Sequence, residues 1–380
     1  MLVIKNAIIH VGTGYIKKNY DILIKQGIIV KIGQDLKYNG CEVIDASNQE
    51  VFPGFIDPVS SIGCIDKTFT INDQNETAHP VTPDLKIKYA FNHSEVMFEG
   101  LHQVGITTIG ASPGNTNVLG GQMAAYKTWG LNSAKMLIKE PVGVKGSVSN
   151  LVKQTYGKRD QAPQTRMGIF KVLNETLAEA QGELERGGDC ADDEKKSIVK
   201  KILKQEIPLF ITANKSVEIA ALLNLLKQYK IRLVICGAYQ ADRCLESIKK
   251  MEAGVVIGEL VFLTAKNYNN TDLYRLAQLQ EEGIPVSITL SGESGPVGKV
   301  KYIWNAIELY KSGVASEEVL KMMTINPARM LGLEDRLGTV EVGKEADLVI
   351  YTKNPIKSYF AKVSHTIIAG KLIEQKGGDS

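Results

Sequence analysis

Between residues 207 and 312 the chain alternates short apolar runs with amphipathic stretches in a fixed order. Ile207–Thr212, Arg232–Cys236, Val255–Gly258 and Pro285–Leu290 are rich in aliphatic residues on both faces. Each run is followed by helical spacing, over Ser216 to Tyr229, Asp242 to Ala253, Thr271 to Glu282 and Val297 to Ser312. A strand apolar on both faces must be covered on both, which is the situation of a parallel sheet whose crossovers are helices. The alternation therefore predicts βαβ units. A doubly wound open sheet and a closed barrel both satisfy it. No strand is followed by a glycine-rich phosphate turn, because Gly110 to Gly114 and Gly120-Gly121 match neither GxGxxG nor a P-loop. The closed barrel is the expectation. Gly187 to Glu194 is a polar break between two helices and reads as a surface loop.

The two ends of the chain are of another kind. Leu2–Ile4, Ala7–Val11, Asp21–Ile24, Gly27–Ile32 and Cys41–Ala46 are short strand-like runs separated by Gly, Asn and Lys. At the other end, Gly338 to Tyr351 reads as a turn and a buried strand, and Val363 to Ile373 as a hairpin turning at Ala369-Gly370-Lys371. Strand-rich ends around an α/β middle predict a small β-domain, residues 1–52 with 338–380, built from both termini around a barrel of 53–337.

Bulk properties exclude several classes. The 380 residues are 44% apolar and 23% charged, with a net charge of +3 and mixed signs throughout. Nothing there favours nucleic acid or an acidic membrane surface. No apolar run approaches the ~20 residues of a membrane helix. The first residues read as a strand, with no basic region and cleavage site ahead of it. Five cysteines, Cys41, Cys64, Cys190, Cys236 and Cys244, form no CxxC pair, so reduced thiols and a cytoplasmic location are expected. Of the five histidines, no two are spaced HxH or HxxxH.

Pro53-Gly54-Phe55-Ile56-Asp57-Pro58-Val59-Ser60-Ser61 resembles the opening barrel strand of the amidohydrolase superfamily. Thr324 to Gly332 resembles that family's last barrel helix, and Gly332 to Val349 its closing segment. Asn75 to Pro83, Gly114 to Gln122 and Thr165-Arg166-Met167-Gly168 are similar to the group related to imidazolonepropionase. The resemblance covers nearly the whole chain. It implies an α/β fold, a (β/α)8 TIM-like barrel with a small composite β-sandwich domain formed by both termini. It also implies chemistry at the C-terminal ends of the barrel strands. The family norm is a divalent metal such as zinc, held first by two histidines one residue apart on the opening strand.

The same resemblance locates what this chain lacks. The opening histidines fall on Val59 and Ser61, the strand-five pair on Thr212 and Asn214, the strand-six histidine on Cys236 (or Gly237), and the strand-eight aspartate on Ser291. Valine binds no metal, and neutral hydroxyls are poor zinc ligands. A family hydrolase needs a metal to acidify its water and a carboxylate to take the proton. These vestigial positions offer neither, so no metal, no cofactor and no confident catalytic residue is expected.

Other residues are weighed beside plainer roles. Cys236 has no histidine placed to make a thiolate and reads as a core thiol. Lys127 and Lys145 end strand-like runs. Some family members carry a carboxylated lysine there between two metals, but a structural lysine or an anchor for an anionic ligand is the simpler reading. Glu76, in the loop after the opening strand, and Arg166, able to pair a carboxylate, complete the pocket candidates. Asp57 faces away from the ligand positions and reads as structural. Two functions follow: a metal-free, catalytically degenerate member binding a small molecule or partner at the barrel mouth, or a hydrolase of non-peptide C–N bonds (cyclic amides, imides, N-acyl compounds) through a rearranged site. No self-association signature is present, although family members often form homo-oligomers.

Overall fold

In a computed structural model the chain is described over residues 1–66, 71–187, 193–258, 273–290 and 298–373. Five strands open it: β1 (Leu2–His10), β2 (Ile16–Lys25), β3 (Ile28–Gly33), β4 (Glu42–Asp45) and β5 (Glu50–Pro53). The runs at Leu2 and Ala7 belong to one strand. Asn6, at φ 56°, interrupts the pairing register between them, as a bulge does. The middle supplies β6 (Phe55–Ser60), β7 (Ile65–Asp66), β8 (Ile71–Asn72), β9 (Ile106–Ala111), β10 (Leu119–Lys127), β11 (Leu137–Ser147), β12 (Leu209–Ala213), β13 (Leu233–Gly237), β14 (Gly254–Ile257) and β15 (Val286–Ile288). The end adds β16 (Leu348–Tyr351), β17 (Val363–Ile368) and β18 (Lys371–Ile373).

Both termini meet in one hydrogen-bonded sheet, in the order β18-β17-β16-β5-β1-β2-β3 with β4 also on β1. Ile4, Ile9, Ile22, Ile29, Leu348 and Ile367 share an apolar core of their own beneath it. The hairpin turn falls at Ala369 (φ 49°) and Gly370 (φ 73°), left-handed positions that suit a tight two-residue connection.

The second large sheet runs β15-β14-β13-β12-β11-β10-β9-β6 and is nearly closed. From β11 to β15 every pair is parallel. The helices Ser216–Leu226, Leu245–Lys250 and Leu273–Gln278 follow β12, β13 and β14 in turn. The expected (β/α)8 repeat does not hold in the other half. β10 is antiparallel to both β9 and β11, and the one helix among these three strands, the four-residue Ser133–Met136, is too short to be a crossover. Antiparallel neighbours can be joined by short turns, so the chain goes up, down and up again without one.

The seam between first and last strands is closed by one carboxylate. Asp57, fully buried, takes a 2.6 Å hydrogen bond from Thr289 Oγ1 and a 3.3 Å bond from the Leu290 amide. Thr289 also lies 2.6 Å from the Val59 carbonyl. Burial pushes the Asp57 pKa up to about 6 against these hydrogen bonds. The structural role expected of Asp57 is thus to join β6 to the end of β15. Inside the barrel, Ile56, Met123, Phe210, Val234 and Val256 pack with Met330 and Leu331 of the helix Ile325–Leu331 and with Leu337 beyond it.

His10 ties the terminal sheet to the barrel's helical coat. Its ring, 3% exposed, lies 2.7 Å from Glu50 Oε2 and 2.8 Å from Glu317 Oε1, and stacks on Phe52 at 4.3 Å. No described helix is long and apolar enough to cross a membrane.

Candidate functional site

The parallel half of the barrel sets its strand ends level with one another. Thr212 on β12 is in register with Cys236 on β13 and with Ser147 on β11. Two residues back, Lys145 is in register with Phe210. Cys236, and not Gly237, is therefore the residue that stands level with Thr212. Thr212, Cys236 and Lys145 line a cavity of about 190 Å³, closed further by Val59, Ser61, Asn115, Asn214 and Tyr239. The vestigial positions Val59, Ser61, Thr212, Asn214 and Cys236 do converge on one place. Ser291 lies outside the described residues.

Among the described residues, Lys145 is the one charged residue lining this cavity. It is 2% exposed, and its Nζ lies 2.6 Å from Asn115 Oδ1, 2.7 Å from Thr212 Oγ1 and 3.0 Å from the Gly146 carbonyl. Thr212 Oγ1 is itself 2.7 Å from Asn115 Oδ1. All three partners are neutral. Burial lowers the Lys145 pKa from 10.5 to about 8, because the ammonium has left water without an opposite charge among these partners.

Cys236 is buried with its thiol 4.0 Å from the Val234 carbonyl, and burial pushes its pKa up to about 11. A thiol that holds its proton at neutral pH is a poor nucleophile. Asn214 sits over Gly237, where φ is 78° and any Cβ would fall 2.0 Å from Asn214 Oδ1. That oxygen has no hydrogen-bond partner among the described residues.

Two pocket candidates belong elsewhere. Lys127 ends β10, and because β10 runs antiparallel its C-terminal end lies at the opposite end of the barrel, beside Thr108 near the start of β9. There it pairs with Asp347 at 2.5 Å and Glu345 at 2.8 Å. Arg166 is exposed in the first turn of the helix Arg166–Glu185 and lines neither mouth cavity. The Thr-Arg-Met-Gly stretch instead starts that helix, with Thr165 Oγ1 accepting from the Gly168 amide at 3.1 Å. Glu76 lines a neighbouring cavity of about 370 Å³ that shares Gln74, Pro113 and Gly114 with the first. Asn115 was not anticipated. It lies within the Gly114 to Gln122 stretch, but only the turn between β9 and β10 brings it to Lys145.

The metal that the family resemblance implies does not fit these residues. Among the described residues no three His, Cys, Asp or Glu side chains are grouped to hold an ion. Among the described residues the donors at the mouth are neutral oxygens, one lone thiol and an amine whose charged form repels a cation. A carboxylated lysine bridging two metals would need other donors to hold them, and Asn115 and Thr212 are poor ones.

Comparison with known proteins agrees with this architecture. Residues 219–373 match the model described as the amidohydrolase family. Across 99% of this chain and 100% of the other, a crystal structure of an amidohydrolase from Thermotoga maritima MSB8 superposes with a TM-score of 0.91 at 27% identity. These likenesses are to the amidohydrolase superfamily, and the similar curated proteins include imidazolonepropionases. The imidazolonepropionase of Geobacillus kaustophilus is 24% identical over 95% of this chain and 91% of that protein. That of Streptococcus gordonii is 26% identical over 37% of this chain, a match that covers about half, 49%, of the relative's own length.

Proposed function

We propose that the barrel mouth is a small-molecule site that works without the family's divalent metal and has Lys145 as its functional group. One observation carries the reading: a lysine 2% exposed, held by neutral oxygens alone, in the cavity where metal ligands would otherwise converge. Buried charges are ordinarily paired, since an unpaired one costs several kcal/mol. A lysine kept there with only dipoles around it is a group whose proton is loosely held, the mark of functional sites. The division into a terminal β-domain (1–52 with 338–380) and a barrel (53–337) is the frame for this site.

A second reading is favoured by the pKa near 8 and by the likeness to hydrolases. In it, the amine form of Lys145 takes a proton from water attacking the carbonyl of a cyclic amide, imide or N-acyl compound, while Asn115 and Thr212 hold the amine in place. Cys236 has no part in it, because its thiol titrates too high. Metal analysis of protein purified without chelator tests the first reading: one equivalent of zinc, iron or manganese per chain would overturn it. Turnover of hydantoins or N-acyl amino acids that disappears in Lys145→Ala and survives in Cys236→Ala would establish the second.

A further inference from the structure

The three contacts of Lys145 suit two protonation states equally well. As an ammonium it donates to Asn115 Oδ1, to the Gly146 carbonyl and to Thr212 Oγ1, and the Thr212 hydroxyl then donates to Asn115 Oδ1 at 2.7 Å. As a neutral amine it donates to Asn115 and Gly146, and its lone pair accepts the Thr212 hydroxyl across the same 2.7 Å. A hydroxyl both donates and accepts, so it serves either state by rotating. Neither state leaves the amine unsatisfied, and among the described residues no carboxylate lines the cavity to pin it as a cation. When the hydroxyl turns to Asn115, the lone pair of a neutral amine is released at the wall of a cavity of about 190 Å³. A desolvated lysine in that condition is a nucleophile toward carbonyl carbon.

From this geometry we infer that Lys145 forms an imine with a small hydroxylated aldehyde or ketone. The inference rests on the site assignment above and names its chemistry. The amine adds to the carbonyl carbon, the C=O π pair goes to oxygen, and a proton passes from nitrogen to that oxygen to give a carbinolamine. The Thr212 hydroxyl, in reach of the nitrogen, is placed to relay the proton. A proton from solvent reaches the carbinolamine oxygen, the C–O bond breaks with loss of water, and the nitrogen lone pair forms the C=N bond of a protonated imine. No redox partner is needed. The rest of the lining selects the ligand class. Ser61, Ser112, Asn75 and Asn214 offer hydroxyls and amides without any negative charge, which suits the hydroxyl groups of a short sugar-like carbonyl compound better than a cation or an alkyl chain. The positive charge of a protonated imine takes the place of the ammonium already accommodated there.

The test is reductive trapping on the full-length protein. Glycolaldehyde or dihydroxyacetone is added with cyanoborohydride at pH 7 to 9, and modified lysines are mapped by peptide mass spectrometry. The expected result is a single reduced adduct at Lys145 formed before any exposed lysine reacts, with a rate that rises through about pH 8 and levels off. Surface lysines, which titrate near ~10.4, should still be gaining rate at pH 9. Thr212→Val should slow trapping about tenfold, and Arg166→Ala, exposed and outside both cavities, should leave it unchanged. Adducts spread over exposed lysines with Lys145 unmodified would overturn the imine, and so would an unchanged rate in Thr212→Val for the relay. The wild-type peptide map decides the point even if a variant folds poorly. This failure is distinct from that of the site assignment: stoichiometric metal removes the metal-free site, whereas an inert Lys145 in metal-free protein removes only the imine.

Discussion

Lys127 and Lys145 are both buried, both on adjacent strands of one sheet, and opposite in every electrostatic respect. At the floor, Lys127 meets Asp347 and Glu345 at 2.5 and 2.8 Å, and Arg336 adds a further contact to Glu345 at 2.5 Å. Asp347 accepts from the Ala369 amide as well, so the cluster fastens the barrel to the terminal sheet. At the mouth, Lys145 meets only neutral oxygens. The first lysine is committed to a fold and its charge is satisfied. The second has been desolvated without compensation, and burial moves its pKa to about 8. The sign of the neighbours, and not the depth of burial, separates a structural lysine from a candidate functional one.

The largest effect should come from breaking the floor. Lys127→Met leaves the buried Asp347 without its counter-charge, while Glu345 keeps Arg336, and should cost about 3–5 kcal/mol, the scale for opening a buried ion pair. Urea unfolding would show it, and a loss under ~1 kcal/mol would mean that the cluster is no tie. Asp57→Ala should follow at about 3 kcal/mol, since the Thr289 hydroxyl and the Leu290 amide lose their buried acceptor. Asp57→Asn, which keeps a hydrogen-bonding group at the seam, should recover most of that loss, and equal destabilisation by both would refute the seam role.

His10 provides a pH-dependent tie to set beside Lys127. Burial works against its charge, but hydrogen bonds to Glu317 and Glu50 outweigh burial and the pKa is raised. A group raised on folding stabilises fully below its unfolded value, ~6.5, and the contribution fades as pH climbs through the folded value. Stability should therefore fall as pH rises above ~6.5, and His10→Gln should flatten that slope while lowering stability at pH 6 by about 2 kcal/mol. That is less than a wholly buried pair because both carboxylates keep some exposure. A slope unchanged in the variant would assign it to other groups. The smallest effect is the sharpest for the comparison. Lys145→Met should change stability by under ~1 kcal/mol, toward gain, because it removes a desolvated charge that has no counter-charge among its partners. A large loss would make Lys145 structural after all.

The parallel half of the barrel was legible from sequence. Ile207–Thr212, Arg232–Cys236 and Val255–Gly258 had to be covered on both faces, so helices had to lie between them, and local pattern alone decides that. That Val59, Ser61, Thr212, Asn214 and Cys236 would meet at one place was legible too, because strand ends in a barrel recur at predictable places. The direction of β10 was not legible. Leu119 to Lys127 is buried along its whole length whichever way it runs, so apolar pattern carries no sign of orientation. That one reversal sends Lys127 to the floor, and the β9–β10 turn carries Asn115 to Lys145. Sequence by itself determined the chemical groups available and the regular strands that present them. Tertiary structure alone decided which lysine met carboxylates, because partners more than two hundred residues apart (Lys127 with Asp347) or across a reversed strand leave no trace in local spacing.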